Sequence, residues 1–256
     1  MFTSELWNNP LAGAYEIAYS CRFDRGSSSY LDRTIQSGGN LRKWTFSFWF
    51  KMIGSDGFGS NQYYLATTKL SSPYDSLLFD IDASSHLYYQ VVGEYYITGT
   101  SFTSTSDWIN MVIIYDSDNG TAGDRKRIFV NGTEDTPSDE QTLALNTDSK
   151  FNSNSEHYIG ARQDLGASYF GSYYLAEAHW VDGQAYDASY FGEDDGGSWV
   201  PIDYKTNTGT YGTTGYFLDF AINDDLGNDV SGNNNDWGVN GMGTDHRTTD
   251  TPTNPA

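Results

Sequence analysis

Hydrophobic and polar residues alternate along several short segments of the chain, most clearly in RKWTFSFWFK at residues 42–51. One set of alternate positions in this segment is entirely aromatic: Trp44, Phe46, Phe48 and Phe50. Trp49 belongs to the other set. Because successive side chains of a strand point to opposite faces, the pattern predicts a half-buried β-strand with an aromatic inner face and Trp49 on the outer face. An outer-face tryptophan needs a cover, either a loop of its own chain or a neighbouring protein.

The two-residue period recurs along the chain, and helical periodicity is scarce. Further strands are predicted at 15–23, 76–82, 86–92, 107–116, 125–134, 157–160, 172–182 and 215–220. The segment 107–116 is apolar on both faces, which is typical of a central strand covered on both sides. Asn131-Gly132 predicts a hairpin, because both central residues of a type I′ turn need positive φ. A single helical turn is expected at 187–192, opened by an Asp cap.

These elements predict an all-β fold, a single jelly-roll-like β-sandwich of two antiparallel sheets. We place the sandwich at residues 14–239. Residues 1–13 and 240–256 lack periodicity, and we expect them to be extended terminal arms. Polar arms are usually disordered unless they are tied down by contacts. We therefore expect these arms to be ordered in an assembled state.

The net charge narrows the range of partners. Lys and Arg total 14 against 34 Asp and Glu, which gives a formal charge of −20. Binding to DNA or RNA, or to an anionic membrane surface, needs cationic side chains, so we expect neither nucleic acid binding nor membrane insertion. The single Cys21 excludes an intrachain disulfide, and the first residues lack the basic start and apolar run of a signal peptide. We therefore expect synthesis and folding in a cytoplasm.

Three carboxylates in one loop form a candidate calcium site. Asp116, Asp118 and Asp124 would supply the hard oxygen ligands that Ca²⁺ prefers. A second loop, with Asp224, Asp225 and Asp229, offers the same chemistry. Asp- and Gly-rich loops also occur simply as turns, and the spacing leaves both interpretations open.

The carboxylates are poorly placed for glycoside hydrolysis, which needs two acids flanking the glycosidic bond. Asp80 and Asp82 form a pair without a third acid at the next position of the same face, and the face of Glu177 continues with His179 and Val181. We therefore predict a protein that is not an enzyme.

Exposed aromatic side chains are candidates for binding a ligand or a partner. Tyrosines occur as adjacent pairs, so one member of each pair faces inward and the other outward. Such rings add contact area at low entropic cost, although cross-strand pairing on a sheet surface explains them equally well. The predicted ligand-binding residues are Trp49, Tyr89 and Tyr96.

Six segments together resemble the laminin-G and concanavalin-A-like lectin/glucanase group. They are WTFSFWFK (44–51), DWINMVIIYD (107–116), RKRIFVNG (125–132), HYIG (157–160), YFGSYYLAE (169–177) and VDGQA (181–185). The likeness covers roughly residues 15–190 and implies the sandwich fold. A narrower resemblance links the chain to structural modules of marine bacteriophages, cyanophages among them. It is carried by YLDRT (30–34), VDGQA, TGTYGTTGYFLDF (208–220), LGNDVSGNNNDW (226–237) and DTPTN (250–254).

The resemblance implies a non-enzymatic virion protein, displayed as a capsid decoration or tail appendage and bound to other virion proteins. A homo-oligomer, for example a trimer, is expected with it. The alternative is a module that binds host-surface glycans during adsorption, and a polysaccharide hydrolase is a third reading. Synthesis in the host cytoplasm and release by lysis would agree with the absent signal peptide.

Overall fold

The computed structural model describes residues 15–53, 63–68, 75–80, 85–164 and 167–256. The strands in these residues are β1 (Ser20–Phe23), β2 (Tyr30–Thr34), β3 (Lys43–Met52), β4 (Tyr63–Thr68), β5 (Ser76–Asp80), β6 (His86–Val91), β7 (Glu94–Ser101), β8 (Ile109–Asp116), β9 (Lys126–Val130), β10 (Thr133–Glu134), β11 (Asp139–Glu140), β12 (Glu156–Ile159), β13 (Ala161–Asp164), β14 (Ala167–Phe170), β15 (Tyr173–Asp182), β16 (Gly192–Asp195), β17 (Ser198–Pro201), β18 (Tyr216–Leu218), β19 (Gly238–Asn240) and β20 (Arg247–Thr248). The helical elements are α1 (Tyr204–Asn207) and 3₁₀ turns at Arg25–Ser27, Ala122–Asp124 and Ala188–Tyr190. No helix within the described residues is both long and apolar enough to cross a bilayer.

Most of the strands form two antiparallel sheets. The first has the order β10-β9-β8-β3-β15-β1-β20, with β18 also paired to β15. The second has the order β11-β7-β6-β5-β4-β12-β2-β19. Two short hairpins, β13-β14 and β16-β17, lie outside these sheets. The predicted all-β sandwich is confirmed.

The inner face of β3 forms the centre of the core between the sheets. Trp44, Phe46, Phe48 and Phe50 are fully buried, as the alternation predicted. The Trp44 ring lies 4.5 Å from the Trp180 ring and 5.4 Å from the Tyr115 ring, and it contacts Tyr89 of the opposite sheet at 6.0 Å. Burial of these large aromatic rings stabilises this layer.

A β-bulge interrupts β15 opposite β3. The register shifts between Ala176 and His179, and Glu177 has a left-handed φ of +49°. Leu175 and Ala178 both belong to the core cluster, so the inward positions are three residues apart across the bulge. Ala176 packs beside Trp49 on the outer side. The bulge therefore keeps Trp180 in the core while turning Glu177 and His179 outward.

The outer face of the first sheet is covered by the segment that follows β15. Val112 and Ile114 of β8 pack there against a cluster of buried side chains that includes Phe191, Tyr204 and Phe217. Met111 and Ile113 of the same strand belong to the core between the sheets. The predicted burial of this strand on both faces is confirmed. The Asp-capped turn is also found, as the 3₁₀ turn capped by Asp187.

The C-terminal residues 240–256 pack against the sandwich. Strand β20 pairs with β1 in the first sheet, and Asp250 and Thr251 are buried. The Asp250 carboxylate contacts the Lys51 ammonium. Contacts within the chain are therefore sufficient to order this segment, so its order gives no reason to invoke a partner. The predicted N-terminal arm, residues 1–13, lies outside the described residues.

Candidate functional site

Three tryptophans from distant parts of the sequence meet at an open groove on the outer side of the first sheet. Trp49 comes from β3, Trp108 immediately precedes β8, and Trp199 comes from β17. The groove has a volume of about 580 Å³ and is also lined by Asn131, Gly132, Thr133, Asp194, Gly197 and Ser198. It combines aromatic surfaces with a few polar groups, as small-molecule binding sites usually do.

Trp49 forms the floor of the groove. Its side chain is 5 % exposed and packs with Ile17 and Ala176. Trp108 and Trp199, both partly buried, pack against this cluster. The prediction that Trp49 points to the outer face is confirmed, and its cover comes from its own chain. Its contact with a ligand remains a prediction.

Trp199 is held in place by the hairpin that joins β9 to β10. Its indole N–H donates a hydrogen bond to Asn110 Oδ1 at 3.0 Å. The ring lies directly on Gly132, where an added Cβ would come within 2.3 Å of ring carbons. Asn131 and Gly132 have φ of +46° and +77°, so the predicted two-residue turn is confirmed. Asn131 Oδ1 accepts from the Asn110 backbone N–H, so the turn residue and the residue that binds the Trp199 indole are joined to each other.

Trp108 is oriented by a buried ion pair. Its indole N–H donates to Asp250 Oδ1 at 3.0 Å, and Lys51 donates to the other oxygen of that carboxylate. Burial opposes ionisation of Asp250, but hydrogen bonds from Lys51, Trp108 and the Ala256 N–H outweigh it and lower the pKa of the carboxyl. The Lys51 ammonium also lies 5.2 Å from the centre of the Tyr174 ring and 5.7 Å from that of Trp108.

Polar side chains complete the rim of the groove. Asn131 and Thr133 are exposed on one hairpin, and Asp194 and Ser198 are exposed on the β16-β17 hairpin. Asp194 Oδ1 accepts from the Gly197 N–H at 3.0 Å, which closes the turn of the second hairpin. The indole N–H groups of Trp108 and Trp199 are already bonded within the chain. The faces and edges of these two rings and the rim groups are therefore the parts that a ligand can meet.

The exposure predicted for Tyr89 and Tyr96 is wrong. Tyr89 is fully buried and Tyr96 is 2 % exposed, and both belong to the core between the sheets. Their sequence neighbours Tyr88 and Tyr95 are partly exposed and stack on each other, with ring centres 5.6 Å apart. The outward members of the two pairs are Tyr88 and Tyr95. In β6 the apolar residues Leu87 and Val91 set the inward phase, and Tyr89 follows them.

The predicted calcium ligands do not form a site in the structure. No group of three His, Cys, Asp or Glu side chains within the described ranges is arranged to hold a metal ion. Asp116 pairs with Lys43 at 3.3 Å, Asp118 pairs with Arg42 at 3.7 Å, and Asp124 belongs to the 3₁₀ turn. In the second loop Asp229 accepts hydrogen bonds from the N–H groups of Phe217, Ser231 and Asn235. Its carboxylate therefore organises backbone, as acidic turn residues commonly do.

Glu177 and His179 form a buried polar network beside the groove. His179 Nε2 lies 3.0 Å from Glu177 Oε2, and its Nδ1 lies 3.0 Å from the Tyr211 hydroxyl. Tyr15 donates to Glu177 Oε1 at 2.9 Å, and burial together with this carboxylate raises the pKa of the Tyr15 phenol. Along β15, the residues that follow Glu177 on this face are His179 and Val181, so the strand places no second acid beside it. Of the other two acids considered for hydrolysis, Asp80 ends β5 in the second sheet, and Asp82 lies outside the described residues.

Sequence reasoning missed Trp108, Trp199, Asn131 and Asp194 as members of one site. A local signal existed for Trp199, which follows Asp-Asp-Gly-Gly-Ser, a polar turn that is an unusual context for a core tryptophan. The meeting of residues 49, 108 and 199 depends on how the β16-β17 hairpin folds over the first sheet. Strand periodicity does not contain that information.

Solved structures with a similar fold are known. A structure from Bacteroides ovatus named "putative carbohydrate binding protein" matches with a TM-score of 0.64 at 14 % identity, over 92 % of this chain and 60 % of that one. A heptameric SAP-like pentraxin from Limulus polyphemus matches with a TM-score of 0.46 at 17 % identity, over 68 % of this chain and 80 % of that one. A Trypanosoma rangeli sialidase in complex with 2,3-difluorosialic acid matches with a TM-score of 0.42 at 13 % identity, over 58 % of this chain and 22 % of that one.

The Bacteroides structure shows similarity of fold alone, because its sequence identity to this chain is low. The other two structures have TM-scores below 0.5 and are too different for functional comparison. The chain spans 60 % of the Bacteroides protein and about a fifth of the sialidase. A search of curated proteins gave no match. The model of the concanavalin A-like lectin/glucanase superfamily, in its laminin-G-like form, matches residues 24–185, more than half of the chain. The chain belongs to the concanavalin A-like lectin/glucanase superfamily.

Proposed function

We propose that this protein binds carbohydrate in the groove formed by Trp49, Trp108 and Trp199, and that it does not cleave the bound sugar. The observation that carries the proposal is the meeting of three indoles at one open groove, two of them fixed by hydrogen bonds to buried groups. Rigid aromatic rings can pack on the C–H face of a pyranose, and neighbouring polar groups can bond its hydroxyls. The superfamily fold supports the same function.

The rim groups suit a hydroxylated ligand. Asp194 and the amide and hydroxyl groups of Asn131, Thr133 and Ser198 provide both donors and acceptors around the rings. A sugar has the matching character, since it presents one apolar face and a periphery of hydroxyls. Because Trp108 and Trp199 are already held by Asp250 and Asn110, little side-chain freedom is lost when a ligand binds.

Binding without hydrolysis is supported by the arrangement of acids. Glycosidases place two carboxyl groups on either side of the scissile bond, at about 5–10 Å from each other. Asp194 is the single carboxylate among the described residues that line the groove. Glu177 lies under cover, bonded to Tyr15 and His179. We therefore propose that the protein is not an enzyme.

The test is a glycan array followed by titration calorimetry on the strongest ligand. Trp199→Ala and Trp108→Ala are each expected to weaken binding at least tenfold, since central aromatic anchors dominate binding energy. Tyr169→Ala is the matched control, because Tyr169 is 44 % exposed on β14, outside the groove. Equal affinities for the wild type and both tryptophan variants would refute the groove as the binding site.

The virion role is a separate prediction about where such a module would act. It depends on the resemblance of five sequence segments to marine phage structural modules. Cosedimentation of the purified protein with phage particles that lack it would test the role directly. Light scattering of the purified protein would test the predicted homo-oligomer. A protein that stays monomeric and does not sediment with particles would remove this role without affecting the groove.

A further inference from the structure

Charge is distributed unevenly around the groove. The β16 strand, which forms one wall, carries the consecutive exposed acids Glu193, Asp194 and Asp195. Asp194 lines the groove itself, and no Lys or Arg does so within the described residues. The whole chain, these acids included, carries a formal net charge of −20. A ligand entering the groove therefore meets a negative potential.

Two cations of the first sheet, on β3 and β9, are already paired. Lys51, behind Trp108, contacts the Asp250 carboxylate and is buried. Arg127 on β9 forms two hydrogen bonds to Glu134, at 2.7 and 2.6 Å. Neither side chain can neutralise an anionic ligand without giving up a carboxylate partner. The described residues that line the groove consequently offer hydrogen-bond acceptors and aromatic surface, but no positive group to receive a sulfate or carboxylate.

Asp194 has the geometry of a hydroxyl acceptor. One of its oxygens accepts the Gly197 N–H and so holds the carboxylate at the rim. The other oxygen has no partner among the described residues. A fixed carboxylate oxygen accepts hydrogen bonds from sugar hydroxyls more strongly than a neutral group does, and it repels a sugar carboxylate or sulfate.

We infer that the groove selects neutral, hydroxyl-rich pyranose chains and rejects carboxylated or sulfated ones, with Asp194 as the residue that sets this selectivity. The inference rests on the proposed carbohydrate-binding function. It goes further by naming the ligand class and the group that discriminates. It also assigns Asp194 a role in recognition, in place of the catalytic role that a groove carboxylate would have in a hydrolase.

The experiment uses matched polysaccharide pairs: galactan, mannan and β-glucan, each tested with its C6-carboxylate derivative made by selective oxidation. Affinities are measured by biolayer interferometry at low salt for the wild type and two variants. Asp194→Asn keeps the turn acceptor and removes the charge. Asp118→Asn is the control, since it makes the same change in net charge on an exposed loop beyond the opposite end of β8.

The wild type is expected to bind at least one neutral polymer at least tenfold more tightly than its oxidised partner. Asp194→Asn should reduce that ratio at least threefold, mainly by improving binding of the oxidised form, and Asp118→Asn should leave it unchanged. Equal or tighter binding of the oxidised forms would overturn the selectivity and leave carbohydrate binding intact. An equal effect of both variants would overturn the role of Asp194. Binding to no polymer of either form would overturn the proposed function itself.

Discussion

The two faces of the first sheet use the same kinds of side chain in different ways. On the inner face of β3, Trp44 and its alternate neighbours are fully buried and make ring contacts across the sandwich. On the outer face, Trp49 lies five residues later, beneath a thin layer that is open at the groove. The inner rings stabilise the fold, whereas the outer rings are arranged around a space that a ligand can occupy.

The two faces also differ in the partners of their buried charged groups. The outer face holds Lys51, Glu177 and Asp250, each with a hydrogen-bonded partner. Beside the inner cluster, the fully buried Asp75 carboxylate accepts from neutral donors, among them the Ser149 hydroxyl and the Val92 and Phe151 N–H groups. Burying a carboxylate is costly unless it is paired or hydrogen-bonded, so each of these carboxylates lies where donors surround it. The outer face can thus combine ordered polar groups with exposed aromatic surface, which recognition of a sugar requires.

The largest effect is expected from removing an inner ring. Trp44→Ala should lower the free energy of unfolding by about 4 kcal/mol, because it removes buried area and leaves a cavity. Trp199→Ala should lower it by only about 1 kcal/mol, since this ring is partly exposed. Urea denaturation followed by circular dichroism measures both. Similar losses for the two variants would contradict the division between a stabilising and a binding face.

The buried ion pair of the outer face should give the next largest effect. Lys51→Met leaves Asp250 buried without its cation, and we expect a loss of about 3 kcal/mol in unfolding free energy. Arg127→Met breaks an exposed pair with Glu134 and should cost less than about 1 kcal/mol. Denaturant titration of both variants provides the comparison. If the two losses were equal, the Lys51 pair would not be functioning as a buried one.

Much of the fold could be predicted from the sequence because local patterns determine it. The aromatic alternation of β3 fixes which side chains face inward, and Asn131-Gly132 fixes a hairpin through its positive φ values. The superfamily was identifiable from segments that lie along these strands. In each case the physical cause lies within a few neighbouring residues.

The site could be predicted only in part, because its parts come together by tertiary packing. Trp49 was placed on the correct face, but Trp199 meets it only after the chain returns over the sheet. Tyr88 and Tyr89 are chemically identical, and the unbroken alternation of β6 buries Tyr89 together with Leu87 and Val91. The bulge at Glu177 was invisible in the sequence, since it shifts the inward positions without changing composition.

Acid sensitivity tests the burial of a titratable side chain in the second sheet. His157 of β12 is buried, and burial lowers the pKa of its imidazole to about 4. The unfolded chain binds this proton below about pH 6.5, so the unfolding free energy falls as pH drops from 6.5 towards 4. At pH 4.5 the loss from this group should be about 2.5 kcal/mol. Between pH 7 and 4.5, the unfolding free energy of His157→Asn should fall by about 2.5 kcal/mol less than that of the wild type, as denaturant titration at the two pH values would show. Identical falls for the two proteins would contradict the lowered pKa of His157.

The smallest change tests whether the hairpin glycine controls the groove. Gly132→Ala places a methyl group against the Trp199 ring at a left-handed position, so it should cost about 1 kcal/mol or slightly more in unfolding free energy and weaken glycan binding several-fold. Gly196→Ala is the matched control: its φ of +64° imposes a similar backbone strain, but an added Cβ meets no atom within 4 Å. It should lose similar stability and keep its affinity. If both variants kept full affinity, the position of Trp199 on the hairpin would not matter for binding. The ligand-binding role that distinguishes the outer rings from the inner ones would then be contradicted.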